Sequence, residues 1–221
     1  MSVDDFHQEW VPLKRVQNCL SAAKSLGIHC TLVCVVTASS NKLSYYLEAL
    51  GVSEGDNLVA AEAPCTPVGM AAIMLPNSDF PLHPGVPSNY CTLLKSLIIR
   101  PEGIVHLCCG AGFTVDALTA GNLREERLDS IIERAEWNPI FNALAVGNGP
   151  CHLATALAEE RHDDFLQNSY ATSCHACHHI LSRPGIEGIL QERLESQRAE
   201  LFLKREILDQ IGYRNSDLLK I

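Results

Sequence analysis

The chain has 221 residues, 47% of them apolar, enough for one full domain or for a small domain with an appendage. Its formal charge is -9 with only 17 lysines and arginines, which excludes the cation-rich surface that phosphate recognition requires, so neither DNA nor RNA is an expected partner. Ten cysteines follow no charged n-region or apolar h-region, so they do not read as a secreted disulfide framework; the expected setting is a reducing cytoplasm, where clustered thiols become metal candidates.

In chain order, Pro12 sits where a helix can begin. Leu13, Val16, Leu20, Ala23 and Leu26 recur at helical spacing, and Gly27 supplies a left-handed stop. The β-branched run Ile28 to Thr37 has little polar alternation and predicts a parallel strand covered on both faces. Ser40 or Asn41 can cap a second helix running through Leu47 and Leu50 to Gly51, and Asn57 to Ala61 reads as another short strand. No apolar stretch approaches the roughly 20 residues a bilayer requires, so no membrane span is expected.

After Pro64 the texture changes. Pro67, Pro76, Pro81, Pro84 and Pro87 rule out a long helix and predict a connector. Leu93 to Arg100, the turn Pro101-Glu102-Gly103, and Ile104 to Cys108 read as a β-hairpin. Helices are predicted over Leu128 to Ala135 and from about Ile140 to Leu144, the latter with Pro139 in its first turn. From Pro184 onward, Ile186, Leu190, Leu194, Leu201, Leu208 and Ile211 form an apolar stripe among charged residues. The expected element is a helix that covers the preceding module, with a partner-binding helix as the alternative.

The chemistry is concentrated in the cysteines. Cys91 is followed by eleven residues, Gly103, four residues and Cys108; after a long gap come Cys174 and Cys177. The hairpin can return Cys108 to the neighbourhood of Cys91, and the two-residue gap lets Cys174 and Cys177 face one centre from a single tight turn. Four thiolates match the ligand count of a 4Fe-4S cluster or of a structural zinc site, and His175, His178 and His179 keep a Cys/His zinc site open. Cys109 is the alternative to Cys108, although neighbours on a strand point to opposite faces. Cys151 reads as a packed small residue, and Cys19 and Cys65 carry no spacing signal. The acidic pairs Asp4-Asp5, Glu159-Glu160 and Asp163-Asp164 read as solvated surface. No hydrolytic triad, phosphate-cradling glycine loop or paired-carboxylate site is present in the sequence.

This arrangement resembles the SPASM and twitch modules attached to radical SAM enzymes. The Pro-Glu-Gly turn, Gly121-Asn122-Leu123, and the helix beginning Leu128-Asp-Ser-Ile-Ile look like the family's own. No cysteine follows Cys177, so the likeness is to the shorter, one-cluster twitch form. Upstream, Ser2-Val-Asp4 with His7, the helix ending Ala-Ala-Lys-Ser-Leu-Gly-Ile, and the strand ending Val-Val-Thr look like the fourth and fifth strand regions of the family's barrel. Pro67-Val-Gly-Met-Ala71 looks like the Pro-x-Gly-Arg-Ala segment leaving the sixth strand, with Met70 where Arg is usual.

The resemblance implies an α/β fold in three parts. Residues 1–75 would be a partial (β/α) radical SAM barrel holding roughly strands 4 to 6. Residues 76–182 would be a small α+β twitch/SPASM-like iron-sulfur module with a β-hairpin, and residues 183–221 a C-terminal amphipathic helix. It implies an auxiliary 4Fe-4S cluster on Cys91, Cys108, Cys174 and Cys177, and makes Ser2 and Asp4 candidates for contact with S-adenosyl-L-methionine (SAM). The family's SAM-cleaving CxxxCxxC loop is absent from these residues: Cys30 and Cys34 have the first spacing, but residue 37 is Thr, and both read as core cysteines. SAM cleavage therefore does not follow. The expected product is the C-terminal part of such an enzyme, truncated and inactive alone, with a missing N-terminal half-barrel chain or a second copy as its partner; a zinc-stabilised interaction module is the alternative.

Overall fold

A computed structural model describes residues 1–55, 57–89, 91, 97–108, 110–158 and 164–210, and the chain divides into two units, Met1–Pro81 and Leu82–Ile221. Helix and strand are mixed, the sheets are small, and no closed barrel occurs among the described residues.

The first unit contains α1 (Asp5–Gln8), α2 (Leu13–Ser25), β1 (Cys30–Val36), α3 (Leu43–Leu50), β2 (Leu58–Pro64) and α4 (Met70–Met74). Helix α2 stops at Leu26, and Gly27 takes φ 65°, a left-handed backbone that glycine adopts without Cβ strain. Strands β1 and β2 pair in parallel from Cys30 opposite Leu58 to Val36 opposite Pro64. The N-terminus extends the ladder on the other side of β1: Val3 N–H donates to the Val33 carbonyl at 2.9 Å, and Val33 N–H to the Met1 carbonyl at 2.9 Å. Alternation along β1 sends Leu32 and Cys34 into a core with Val3, Val16, Leu20, Tyr46 and Leu50.

One detail differs from the sequence reading. Neither Ser40 nor Asn41 caps α3; its N-cap is Lys42, which makes no side-chain cap bond. Glu62 on β2 does the work instead, its Oε1 accepting the Leu43 N–H at 2.7 Å. Ser40 is turned to the preceding loop, where its Oγ accepts the Thr37 N–H at 2.8 Å.

The second unit contains β3 (His83–Pro84), β4 (Ile98–Ile99), β5 (Ile104–His106), β6 (Thr119–Asn122), α5 (Leu128–Glu136), α6 (Pro139–Val146), α7 (Pro150–Ala158), β7 (Ser169–Tyr170), α8 (Ser173–Leu181), α9 (Ile186–Leu194) and α10 (Arg198–Gln210). Strand β3 pairs antiparallel with β7, and β4, β5 and β6 form an antiparallel sheet in that order. The expected hairpin is present as β4 and β5, although residues 93–96 of its first arm lie outside the described residues. Its turn closes with Gly103 at φ 89°, and a side chain there would come within 2.8 Å of Asn122 Oδ1. Strand β6 and helix α7 had no counterpart in the sequence reading.

Helices α5 to α9 enclose the larger core, which includes Ile131, Ile140, Leu144, Leu153, Leu157, Ile180, Leu190 and Leu194. The C-terminal stripe is split rather than continuous: a 3₁₀ turn at Glu195–Gln197 separates α9 from α10. Gln197 Oε1 bonds His152 Nε2 of α7 at 2.7 Å, which holds that turn against the module. Ile186, Leu190, Leu194 and Leu201 are buried, so this stripe covers its own unit; Ile211 lies outside the described residues. Each such side chain contributes about 1.5–3 kcal/mol on removal from water.

Candidate metal centre

Cys174 and Cys177 lie in the opening turns of α8, not in a tight turn. The helix forms because Thr172 is a β-region N-cap whose hydroxyl accepts the His175 N–H at 3.0 Å, and because Ala176, Ile180 and Leu181 give it a buried face. Spacing i, i+3 places both cysteines on one side of a helix, so the two-residue gap serves here as it would in a turn. The first turn also carries the positive end of the helix dipole, which favours thiolate over thiol at Cys174.

Cys91 reaches the site along a different path. Its N–H donates to the Leu144 carbonyl at 2.7 Å, one of the last carbonyls of α6, which lack partners within their own helix. Cys108 follows β5; beyond it, Gly110 passes beside α8, with Cys174 Sγ 3.5 Å from where a Cβ would stand. The adjoining 3₁₀ segment Ala111–Thr114 packs on α8 as well. Cys91, Cys108 and Cys177 all rest on the larger core. Cys109 lies outside the described residues.

Burial pushes the Cys177 thiol well above the usual cysteine range, and the nearby sulfurs of Cys91, Cys174 and Cys108, in that order, push it further. Among the described residues, however, no three His, Cys, Asp or Glu side chains are gathered closely enough to hold one metal ion. A tetrahedral zinc needs all its ligands within about 2.0–2.3 Å of a single point. In a 4Fe-4S cluster each thiolate takes a different iron, so the sulfurs surround a body instead of meeting at a point. The donor set fits that group: four cysteines, two of them in the opening turns of a helix, with Gly110 passing alongside Cys174.

Two of the three histidines have a ring nitrogen engaged by protein. His175 is buried, and its Nδ1 accepts the Ala171 N–H at 3.2 Å. Tyr170 Oη accepts the Gln167 N–H at 3.0 Å and shares a hydrogen bond with His179 Nδ1, also at 3.0 Å. Burial first, then His179 and His178, lowers the His175 pKa; burial and then His178 lower that of His179. Both rings are thereby biased to neutral, hydrogen-bonded forms packed around Tyr170.

The remaining candidates are in the first unit. Ser2 is exposed and bridges Val33. Asp4 is fully buried, which corrects the reading of Asp4-Asp5 as solvated surface. Its Oδ1 accepts the His7 N–H at 3.0 Å and contacts His7 Nδ1 at 2.7 Å, while Oδ2 accepts the Val35 N–H at 3.3 Å. It is both the N-cap of α1 and a tie to β1. Of the other acidic pairs, Glu159, Glu160 and Asp163 lie outside the described residues, and Asp164 is exposed. Cys34 is buried and Cys30 half-buried within β1, as core cysteines should be; Cys65 is buried, Cys151 half-buried and Cys19 exposed.

Residues 91–178 match the family model of SPASM, an iron-sulfur cluster-binding domain, a span that opens on Cys91 and closes one residue after Cys177. No curated protein matches the chain. The match indicates iron-sulfur cluster binding by the second unit; such domains are the auxiliary modules of radical SAM/SPASM proteins.

Proposed function

We propose that this chain binds one auxiliary 4Fe-4S cluster through Cys91, Cys108, Cys174 and Cys177, in the manner of a twitch module, and serves as the C-terminal part of a radical SAM/SPASM-type protein. The observation that carries the reading is the match of residues 91–178 to the SPASM family, a span that holds all four cysteines, of which Cys91, Cys108 and Cys177 pack on one apolar core. When bound, the cluster supports electron transfer or substrate positioning in an intact enzyme. The protein's part is to hold four thiolates at fixed separations, two of them one turn apart at the start of α8, and to back the site with an apolar core.

SAM cleavage needs a CxxxCxxC loop that these 221 residues do not contain. On this reading the chain is inactive alone, and SAM chemistry, with Ser2 and Asp4 as its candidate contacts, arises only where a second chain supplies the loop. The working compartment is a reducing one such as the cytoplasm. Among the described residues no helix is long and apolar enough to cross a membrane.

Anaerobic reconstitution of the full chain tests the cluster. The expected product contains about four iron and four sulfide per chain and has a broad visible absorbance that bleaches on reduction. A colourless protein holding one zinc per chain would instead identify the cysteines as a structural zinc site in an interaction module.

A further inference from the structure

After β3, the chain from Pro87 to Cys91 makes three ties to the helices around the site. The Cys91 N–H caps the Leu144 carbonyl at the end of α6, at 2.7 Å. The Pro87 carbonyl accepts the Cys151 N–H, in the first turn of α7, at 3.2 Å. Between them Asn89 reaches α8, where Ser173 Oγ donates to Asn89 Oδ1 across 84 positions of sequence. The first two ties fix the segment to α6 and α7 by backbone alone. The third joins it to the element that carries Cys174 and Cys177.

Ser173 is the residue immediately before Cys174, and Asn89 lies two residues before Cys91. A displacement of Asn89 from Ser173 therefore changes the distance between the Cys91 sulfur and the α8 pair, with little effect on either cysteine's own backbone support. Neither side chain contributes to the apolar core. Asn89 is exposed and Ser173 half-buried, so truncating either leaves packing intact.

We infer that Asn89 and Ser173 are positioning residues that set Cys91 against Cys174 and Cys177 for cluster binding, an assignment that rests on the cluster reading above. Their hydrogen bond ties the segment before Cys91 to the first residue of α8 by side chains, beyond the β3–β7 pairing that joins the preceding strands.

The test uses full chain reconstituted anaerobically, with three readouts: iron release to a chelator, the electron paramagnetic resonance spectrum of the reduced protein, and its midpoint potential. Asn89→Ala is expected to release iron about five-fold faster, the size expected from losing one partly exposed hydrogen bond, with an altered spectrum, a shifted potential and unchanged helical circular dichroism. Ser173→Ala should match it, the double variant should be no worse than either single change, and Ser173→Thr, which keeps the hydroxyl, should restore the wild-type rate. Wild-type release and spectrum in both Ala variants, or additive effects in the double variant, would overturn the inference while leaving the cluster in place. A wild-type chain that takes up no iron would remove the cluster reading and this one with it.

Discussion

At the scale of single residues, the cysteines sort by environment more than by spacing. Cys34 is fully buried in β1, and burial, followed by the charges of Asp4, Glu62 and Asp5, holds its thiol at about 11. Cys19 is exposed on α2. Alkylation depends on thiolate and access, so at neutral pH iodoacetamide should label Cys19 within the time that leaves Cys34 unmodified. Mass spectrometry of the native and urea-unfolded chain checks this; equal labelling in the native state would contradict the burial of β1. The carboxylates behave in the opposite sense. Burial alone would raise the Asp5 pKa, but hydrogen bonds from Tyr46 Oη and from the side chain and backbone of Asn41, with Lys42 nearby, outweigh it and leave the group below its usual range. A depressed carboxyl contributes stability that is present above its unfolded pKa and lost as pH falls through the folded value. Wild type should therefore weaken between about pH 5 and pH 3, while Asp5→Asn should be less stable at neutral pH and flatter across that window, as followed by urea melts at each pH.

At the scale of elements, the caps decide how firmly the site is framed. Asn138 Oδ1 accepts the Ile140 N–H at 2.9 Å and the Phe141 N–H at 3.3 Å at the start of α6, the helix whose far end receives Cys91. Asn138→Ala should cost about 1 kcal/mol of stability, and Thr172→Ala at the start of α8 a similar amount, both measured by urea denaturation. An unchanged midpoint for either would mean that solvent satisfies these N–H groups equally well. The sequence carried the signals that matter most here. Glycine stops after α2 and α3, Pro139 at the first turn of α6, and the Pro-Glu-Gly turn are local chemistry, and local chemistry is readable. What escaped was set by distant partners. The N-terminus of α3 is completed by Glu62 from another element, and the C-terminal stripe breaks where Gln197 meets His152. Helix α7 is the exception, since it carries Pro150 at its first position, the same local signal that placed α6 through Pro139, and had no counterpart in the sequence reading. The four cysteines are proposed from their spacing, whereas the ties of Cys91 to Leu144 and of Asn89 to Ser173 join residues far apart in sequence and left no local trace.

At the scale of the whole chain, two cores share no residue. The smaller is built on Leu32, Cys34, Val16 and Tyr46 in the first unit, and the larger on Ile140, Leu153, Ile180 and Leu190 in the second. Stability in such a chain need not be a single quantity, because each unit can open by losing its own apolar contacts. Leu32 and Leu190 are both fully buried, so replacing either by alanine removes the same apolar atoms and leaves a cavity, at a cost of about 2–5 kcal/mol. The expected effects differ in place. Leu32→Ala should raise amide exchange across β1, β2 and α2 and leave α6 to α9 protected as before. Leu190→Ala should do the reverse, exposing amides of α7 and α9. Cluster retention should follow the second pattern alone, since every proposed ligand lies in residues 82–221. Native-state hydrogen exchange read by mass spectrometry, with iron content measured on the same samples, distinguishes the cases. If Leu32→Ala released iron and loosened α8 as much as Leu190→Ala does, the two cores would be one cooperative structure, and the iron-sulfur module would depend on the β/α unit for its fold.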